Sequence, residues 1–281
     1  MATTRIAKLE QYGLLLAAGE EARAFLHAQL TNDVESLAAG QARYAGWCSA
    51  KGRLLATFLV IPHAGGFLLQ LSRDLVPAVM KRLPMFILRS KVKLSDVSDQ
   101  WTQYGTWDSG GGEPLAVGES DGAVTVRIEP DRSLVLAPES ASSRFSPNVS
   151  SEEWMLAEVR AGRPRIAQAT QDQFVPQMVN FELTGGVDFR KGCYPGQEIV
   201  ARAQYRGAVK RRMYRLRGAP LQPGQELFSD DAPGQASGTV VNAAGDESLA
   251  VLQTAAVDAK APIRTKAQAG ALEVLPLPYS V

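Results

Sequence analysis

The chain has 281 residues, of which 45% are hydrophobic and 21% charged, a composition typical of a globular protein and not of a disordered one. Its formal net charge of +1 gives no general attraction to nucleic acid or to membrane surfaces. Two cysteines, Cys48 and Cys193, are too few for a disulfide framework and fit a reducing compartment. No apolar run approaches the ~20 residues that cross a bilayer. We therefore predict a cytoplasmic protein of two or three packed units, with no membrane partner.

Helix signals are few. Apolar residues on one helical face predict a helix over residues 22–30. Asn32 followed by Glu35 has the spacing of a capping box and predicts a short second helix that ends at Gly40. Two further predicted helices end before a proline or a glycine: Asp74–Leu83 and Trp154–Ala161.

Short β-rich segments alternate with these helices. The predicted strands before residue 208 are Leu54–Ile61, Phe67–Leu71, Lys91–Val97, Trp101–Trp107, Ala123–Ile128 and Ser133–Ala137. Only strand signals follow: Arg212–Arg217, Ala236–Val241, Ser248–Gln253 and Leu272–Leu275. The sequence therefore predicts an α+β fold with an amino-terminal body of two subdomains (residues 1–207) and a small carboxyl-terminal β-barrel or sandwich (residues 208–281).

The segment around Cys193 is the strongest chemical feature. Common catalytic motifs such as a phosphate-binding glycine loop, H-E-x-x-H and G-x-S-x-G are missing. Cys193 stands between Gly192 and a Pro195-Gly196 turn, which predicts tight, solvent-accessible backbone. The cations Arg190, Lys191, Arg202 and Arg206 would lower the thiol pKa. The alternative is a buried, inert cysteine, the commonest state of a free thiol.

A basic run follows this segment. Arg202–Arg217 carries seven basic residues and no acidic one. One interpretation is a solvated basic edge that prevents strands from pairing with neighbours. Another is an anion site for a carboxylate-bearing ligand or a protein partner. Nucleic acid is the weaker interpretation, since only Tyr205 and Tyr214 offer stacking rings, and we predict no direct nucleic-acid partner.

Several motifs together resemble the YgfZ-type family, whose members are folate-binding relatives of the glycine-cleavage T-protein. The segments that carry the resemblance are Phe174–Asn180, Gly185-Gly186, Lys191–Glu198, Val200–Arg202 and Tyr205–Gly207. Weaker similarity lies at Gln29–Val34, Cys48–Arg53 and Pro276–Ser280, so the resemblance covers nearly the whole chain.

The resemblance implies a T-protein-like fold of three parts that binds tetrahydrofolate, or a substituted folate, in a central opening. It implies an accessory factor for iron–sulfur cluster assembly or repair that supports iron–sulfur enzymes, including tRNA-modifying ones. The expected partners are iron–sulfur client proteins or the assembly machinery. A single thiolate does not hold a stable four-iron cluster, so no resident metal is predicted.

Site residues follow from the resemblance position by position. Cys193 matches the cysteine on which activity depends, and Trp154 matches a tryptophan at the folate. Tyr12 stands where a second folate tryptophan is expected. Glu198 is a candidate acceptor for a pterin N–H pair, and Arg202 a candidate folate contact. The remaining motif residues are Lys191, Gly192, Tyr194, Gly196 and Gln197.

Other functions remain open from the sequence. A folate-dependent aminomethyltransferase would carry an aspartate on the strand Leu54–Val60. Alignment by Gly52 places Ala56 and Thr57 at the acidic positions, so the general acid–base role has no occupant. A folate domain of a sarcosine or dimethylglycine oxidase would belong to a much longer flavin-containing chain. A scaffold protein with a vestigial folate pocket is the last alternative.

Overall fold

The computed structural model describes residues 4–108, 110–207, 209–230, 234–266 and 270–281. The chain divides into two compact units. The first contains the residues up to Ala45 and Phe58–Trp154, and the second contains Gly46–Thr57 and Met155–Val281. Residue 208, where the sequence places the second domain, lies outside the described residues, and the division into 1–207 and 208–281 stays a prediction.

The secondary structure alternates between short strands and short helices. The strands of the described residues are β1 Arg5–Lys8, β2 Tyr12–Ala18, β3 Arg43–Cys48, β4 Leu54–His63, β5 Gly66–Ser72, β6 Lys93–Asp96, β7 Trp101–Trp107, β8 Val117–Ser120, β9 Ala123–Glu129, β10 Arg132–Pro138, β11 Arg211–Arg217, β12 Glu226–Ser229, β13 Ala236–Ala244, β14 Glu247–Gln253, β15 Ile263–Arg264 and β16 Glu273–Leu275. The helices are α1 Ala22–Gln29, α2 Val76–Arg82, α3 Glu139–Ser142, α4 Ser151–Arg160, α5 Gln197–Tyr205 and α6 Thr254–Asp258. No helix in the described part of the chain is long and apolar enough to span a membrane.

One antiparallel sheet lies entirely in the first unit and has the strand order β1-β7-β10-β9-β8. Strand β7, second in this order, pairs with β1 on one side and β10 on the other, which places Gly105 between Ala7 and Leu134. A glycine inside a strand lets another group approach the sheet closely. At Gly105 the approaching group is the indole of Trp154.

A second sheet has the order β3-β4-β5-β2-β6. Within the first unit, β4 and β5 form the predicted hairpin, and Gly65 at its tip has φ +76°, a left-handed conformation that glycine adopts without strain. Strand β2 pairs with both β5 and β6. Leu14, Leu15 and Ala17 of β2 are fully buried, which makes this strand a central part of the core.

The third sheet is a small β-barrel in the second unit. Its strand order is β15-β12-β13-β14-β11-β16. Ile263 of β15 forms a bridge with Leu272, the residue before β16, so the first and last strands meet. The interior is filled by side chains such as Leu216, Leu227 and Val240. This confirms the predicted carboxyl-terminal barrel.

Most element predictions are confirmed, but the helix predicted after Asn32 is wrong, and the prediction of strands only after residue 207 is wrong at α6. All ten predicted strands are present, as are helices α1, α2 and α4. Residues 31–40, where a capping box predicted a helix, form turns. Arg23 donates to the carbonyl oxygens of Val34, Glu35 and Leu37, at 2.8, 3.0 and 2.9 Å. The Asn32 amide donates to the Tyr44 carbonyl at 2.7 Å. These side-chain bonds satisfy the backbone in a non-helical form.

The sequence predicted no helix after the cysteine motif, yet α5 begins there. Gly196 precedes it as the N-cap with φ +80°. Residues 197–205 are rich in glutamine, glutamate, alanine and arginine, which all favour helices, so the signal was present in the composition.

Candidate functional site

Cys193 lies exposed in irregular backbone directly before α5, as the sequence predicted. Two residues close to it in the chain point inward. Lys191 and Tyr194 are buried, and the Lys191 ammonium lies 4.9 Å from the centroid of the Tyr194 ring, a cation–π contact. Burial raises the pKa of the Tyr194 hydroxyl, so the ring stays neutral beside the ammonium. The pair anchors the segment and leaves Gly192 and Cys193 at the surface.

Gly196 fixes this segment against the loop after β3. A methyl group on Gly196 would lie 2.4 Å from the Ser49 carbonyl oxygen and 2.7 Å from Cα of Gly52. Gly52 is equally constrained, because a methyl group there would lie 2.8 Å from Cβ of Ile199. Both glycines have positive φ, +80° and +69°. The motif containing Cys193 and the segment Cys48–Arg53 are therefore brought together, backbone against backbone.

Cys48, at the end of β3, has the opposite environment from Cys193. It is 2% exposed, and burial raises the pKa of its thiol, with the nearby Asp172 charge acting in the same direction. Asp172 is held in place by the Ser49 hydroxyl, which donates to Oδ1 at 2.8 Å, and by its own N–H, which donates to the Leu54 carbonyl at 2.9 Å. A protonated, enclosed thiol of this kind is chemically inert.

A buried polar network connects α5 to the barrel strand β11. The Gln177 amide donates to the Val200 carbonyl of α5 at 2.8 Å. Arg212 of β11 donates to the Gln177 carbonyl at 2.9 Å and pairs with Glu182. Burial raises the pKa of Glu182, and the Arg212 contact offsets this only in part. The network holds the helix that follows Cys193 in a defined position.

The basic run divides into two groups. Three arginines of β11 form ion pairs with glutamates and so have partners within the second unit. The pairs are Arg212 with Glu182, Arg215 with Glu247 and Arg217 with Glu273. Four other members of the run are exposed: Arg202, Arg206, Lys210 and Arg211. Arg190 is also exposed and lies beside Asp188, with 3.7 Å between Nε and Oδ1.

Trp154, in α4, is 3% exposed. Its indole packs directly on Gly105, where a methyl group would come within 2.1 Å of the ring. The Arg132 guanidinium lies 4.9 Å from the ring centroid, and Trp107 meets the ring edge-on at 5.6 Å. The contact of Trp154 with folate stays a prediction, and it requires the indole to be uncovered from these neighbours.

Tyr12, at the start of β2, is buried but borders a cleft of about 420 Å³ in the first unit. This volume lies in the usual range of small-molecule sites. The cleft is also lined by Lys8, Arg73, Ser98, Trp101 and Gln103. The two cations are already paired, Lys8 with Glu10 and Arg73 with Asp99, both at 2.9 Å. The lining fits a ligand that combines a ring with carboxylates, provided that the ligand's carboxylates replace Glu10 and Asp99 as partners of the two cations.

The remaining predicted site residues lie on α5. Gln197 begins the helix, and Glu198 is exposed in its first turn, where the helix dipole favours a carboxylate. Arg202 is exposed one turn later. Cys193, Glu198 and Arg202 belong to the second unit, and Tyr12 and Trp154 to the first.

The strand position of the aminomethyltransferase carboxylate holds no acid. Ala56 is fully buried, and the Thr57 hydroxyl accepts a hydrogen bond from the Ile166 N–H at 3.1 Å. Within the described ranges, no group of three or more His, Cys, Asp or Glu side chains could hold a metal ion. Asp172 beside Cys48 is the acidic residue that the sequence did not single out. Its φ of +58° lies in the left-handed region, which aspartate tolerates better than most residues other than glycine.

Similarity to known proteins identifies the family of the chain. No family model matches it. The tRNA-modifying protein YgfZ of Vibrio vulnificus is 31% identical, over 78% of this chain and 72% of that protein. The YgfZ protein of Sodalis glossinidius is 30% identical, over 97% of this chain and 92% of its own length. The chain belongs to the YgfZ family. This confirms the family predicted from the cysteine motif and the other segments that resemble it.

The fold of this YgfZ family member is also confirmed. The crystal structure of the glycine cleavage system aminomethyltransferase T from Bartonella henselae superposes with a TM-score of 0.73, over 99% of this chain and 86% of that one. Sequence identity between the two is 15%, so the similarity shows the fold alone. The chain therefore has a T-protein-like fold.

Proposed function

We propose that the protein is a folate-dependent accessory factor for iron–sulfur cluster assembly or repair that acts through Cys193. The contrast between its two cysteines carries the proposal. Cys48 is enclosed and protonated, whereas Cys193 is exposed on a segment that Lys191, Tyr194 and Gly196 hold rigidly. Buried contacts that present one thiol to solvent support a chemical role for that thiol.

Cys193 would act as a transient ligand or carrier. A thiolate binds iron and accepts sulfur, and it also attacks electrophilic carbon. One cysteine alone does not retain a four-iron cluster, which suits passage of a cluster component to a client rather than storage. The relatives bear the name tRNA-modifying protein, so iron–sulfur enzymes that modify tRNA are the proposed clients.

Folate is the proposed cofactor, and its chemistry is to carry a one-carbon unit. The T-protein-like fold and the cleft beside Tyr12 support it. In that cleft Lys8 and Arg73 would bind the glutamate carboxylates and Trp101 would pack on a ring. Trp154 would contribute only after leaving its packing against Gly105.

Cys193→Ala tests the thiol in a strain that lacks the protein. We expect it to fail to restore iron–sulfur enzyme activity while the purified variant keeps its fold. Cys48→Ala is the matched control and should restore activity, because the enclosed thiol does no chemistry. Full restoration by Cys193→Ala would reject the proposal and favour a scaffold protein.

Calorimetric titration with tetrahydrofolate tests the cofactor. We expect saturable binding that Tyr12→Ala and Trp154→Ala weaken. Because Trp154 is buried, its removal also costs about 3 kcal/mol of stability, so each titration needs a urea unfolding curve beside it. Absence of binding to the folded wild-type protein would remove folate from the proposal.

Aminomethyltransferase activity is the alternative that the fold favours and the residues oppose. Ala56 and Thr57 supply no general acid or base. An assay with an aminomethylated carrier protein and tetrahydrofolate should therefore show no methylene transfer. Turnover in that assay would establish the alternative.

A further inference from the structure

Exposed cationic side chains precede and follow Cys193 in the chain. Among the described residues between Phe189 and Arg211, five cationic side chains are exposed: Arg190, Arg202, Arg206, Lys210 and Arg211. In the sequence from Asp188 to Arg211 the acidic residues are Asp188, which lies beside Arg190, and Glu198. Arg190 is 95% exposed, so its guanidinium projects into solvent. The net charge of the whole chain is only +1, so this positive charge is local.

A large aromatic ring lies in the same stretch of the chain. Tyr205, the last residue of α5, is 71% exposed. Phe189 meets the ring edge-on, with 5.9 Å between centroids and 69° between planes. This contact orients the tyrosine ring while most of its surface stays accessible.

The helix places ring and charge side by side. Arg202 precedes Tyr205 by three residues, a spacing that makes the two side chains neighbours on the surface of α5, and Arg206 follows as the C-cap residue. Cations at a helix carboxyl end also stabilise the helix dipole, which accounts for the arginines without any ligand. That explanation does not account for an exposed, oriented tyrosine between them.

We propose that this surface, formed by Phe189, Arg190, Arg202, Tyr205, Arg206, Lys210 and Arg211, binds single-stranded nucleic acid. An unpaired base stacks on Tyr205, and the arginines and lysine contact the flanking phosphates. Bases in a duplex are already stacked on each other, so the surface selects single strands. An acidic protein segment would use the same cations but would leave the ring without a function.

The sequence alone led to the opposite expectation. In the basic run Tyr205 and Tyr214 look equivalent as stacking rings. The structure separates them, because Tyr214 is half-buried and the burial raises its pKa, whereas Tyr205 is exposed. It also adds Phe189 and Arg190, which lie before the cysteine and outside the run.

Fluorescence anisotropy with labelled twelve-nucleotide oligo(U) and oligo(dT) tests this surface in the full chain. We expect binding to one or both, with Tyr205→Ala weakening it about tenfold or more and Tyr205→Phe restoring it. Arg206→Glu should weaken binding and reduce the slope of log affinity against log salt by about 0.7 for each phosphate that the variant no longer neutralises. Preference for RNA over DNA would identify contacts with the 2′-hydroxyl.

Phe86→Ala and Arg89→Glu are the matched controls, since both residues are exposed in the first unit and far from this segment in sequence. They should leave oligonucleotide affinity unchanged. Absence of binding, equal binding of a duplex, or unchanged binding by Tyr205→Ala would each overturn the proposal. Equal, Tyr205-independent binding of a polyglutamate peptide would also overturn it, in favour of an acidic protein partner. These measurements require neither folate nor an iron–sulfur client, so they are independent of the proposed function.

Discussion

The two cysteine-bearing segments of the second unit share one backbone contact and differ in almost everything else. The segment Cys48–Arg53 keeps its thiol enclosed beside Asp172, while Lys191–Glu198 presents its thiol to solvent. Gly52 and Gly196 join the two segments so closely that neither position accepts a methyl group. The segment Cys48–Arg53 therefore supports the backbone of Lys191–Glu198. Exposure distinguishes the Cys193 thiol, which we propose to be reactive, from the enclosed Cys48 thiol.

The largest expected difference between the segments is thiol reactivity. In the native protein, Cys193 should react with a disulfide reagent about a thousandfold faster than Cys48, because Cys48 becomes accessible only when the structure opens. The measurement uses the single-cysteine variants Cys48→Ala and Cys193→Ala with Ellman's reagent.

In strong urea both single-cysteine variants should react at similar rates, which controls for intrinsic thiol chemistry. Fast native reaction of the Cys193→Ala variant would show that Cys48 is accessible and that the comparison between the two segments is wrong.

The next effect concerns the contact that joins the segments. Gly196→Ala should lower the free energy of unfolding by about 3 kcal/mol, since it adds left-handed strain to a clash with the Ser49 carbonyl. Gly185→Ala is the matched control. Gly185 has a similar φ of +76°, and a methyl group added there would meet no atom within 4 Å, so Gly185→Ala should cost about 1 kcal/mol from strain alone. Urea unfolding measures both, and equal losses would contradict the close approach.

Much of the fold could be predicted from local patterns. Ten strands could be located because alternating or apolar runs, such as Trp101–Trp107, carry their own period and are bounded by turn residues. The helix predicted from Asn32 and Glu35 failed because Arg23, from another element, binds the carbonyl groups of that segment. Short edge strands such as β15, with two residues, form only where a neighbouring strand pairs with them.

The site could be predicted in part. Tight, exposed backbone at Cys193 follows from Gly192 and the Pro195-Gly196 turn, which are local features. The enclosure of Cys48 beside Asp172 depends on residues that are far apart in the chain, and no local pattern carries it. The same holds for Trp154, whose indole is covered by Gly105 of a distant strand.

A smaller effect should appear in alkaline solution. Burial raises the pKa of Cys48 in the folded protein. The stability that the protonated thiol contributes is therefore fully present below the thiol pKa of the unfolded chain, and it is lost as the pH rises above that value. Between pH 8 and pH 10.5 the free energy of unfolding should fall by about 2 kcal/mol for this reason. Urea unfolding across this range should show it in Cys193→Ala and not in the double variant Cys48→Ala, Cys193→Ala. Equal pH dependence of the two proteins would contradict a buried, protonated Cys48.

The smallest expected effect concerns the hydrogen bond between Ser49 and Asp172, which holds the segment Cys48–Arg53 in place. The Ser49 hydroxyl donates to Asp172 at 2.8 Å in a partly buried position, so Ser49→Ala should cost about 1 kcal/mol of stability. A double-mutant cycle with Asp172→Ala should return a coupling of similar size, because the two changes remove one hydrogen bond. If the first segment only supports the second, neither change should alter the rate at which Cys193 reacts. A changed Cys193 rate together with unchanged stability would mean that Asp172 acts on the exposed thiol directly, and the division between support and reactive segment would no longer hold.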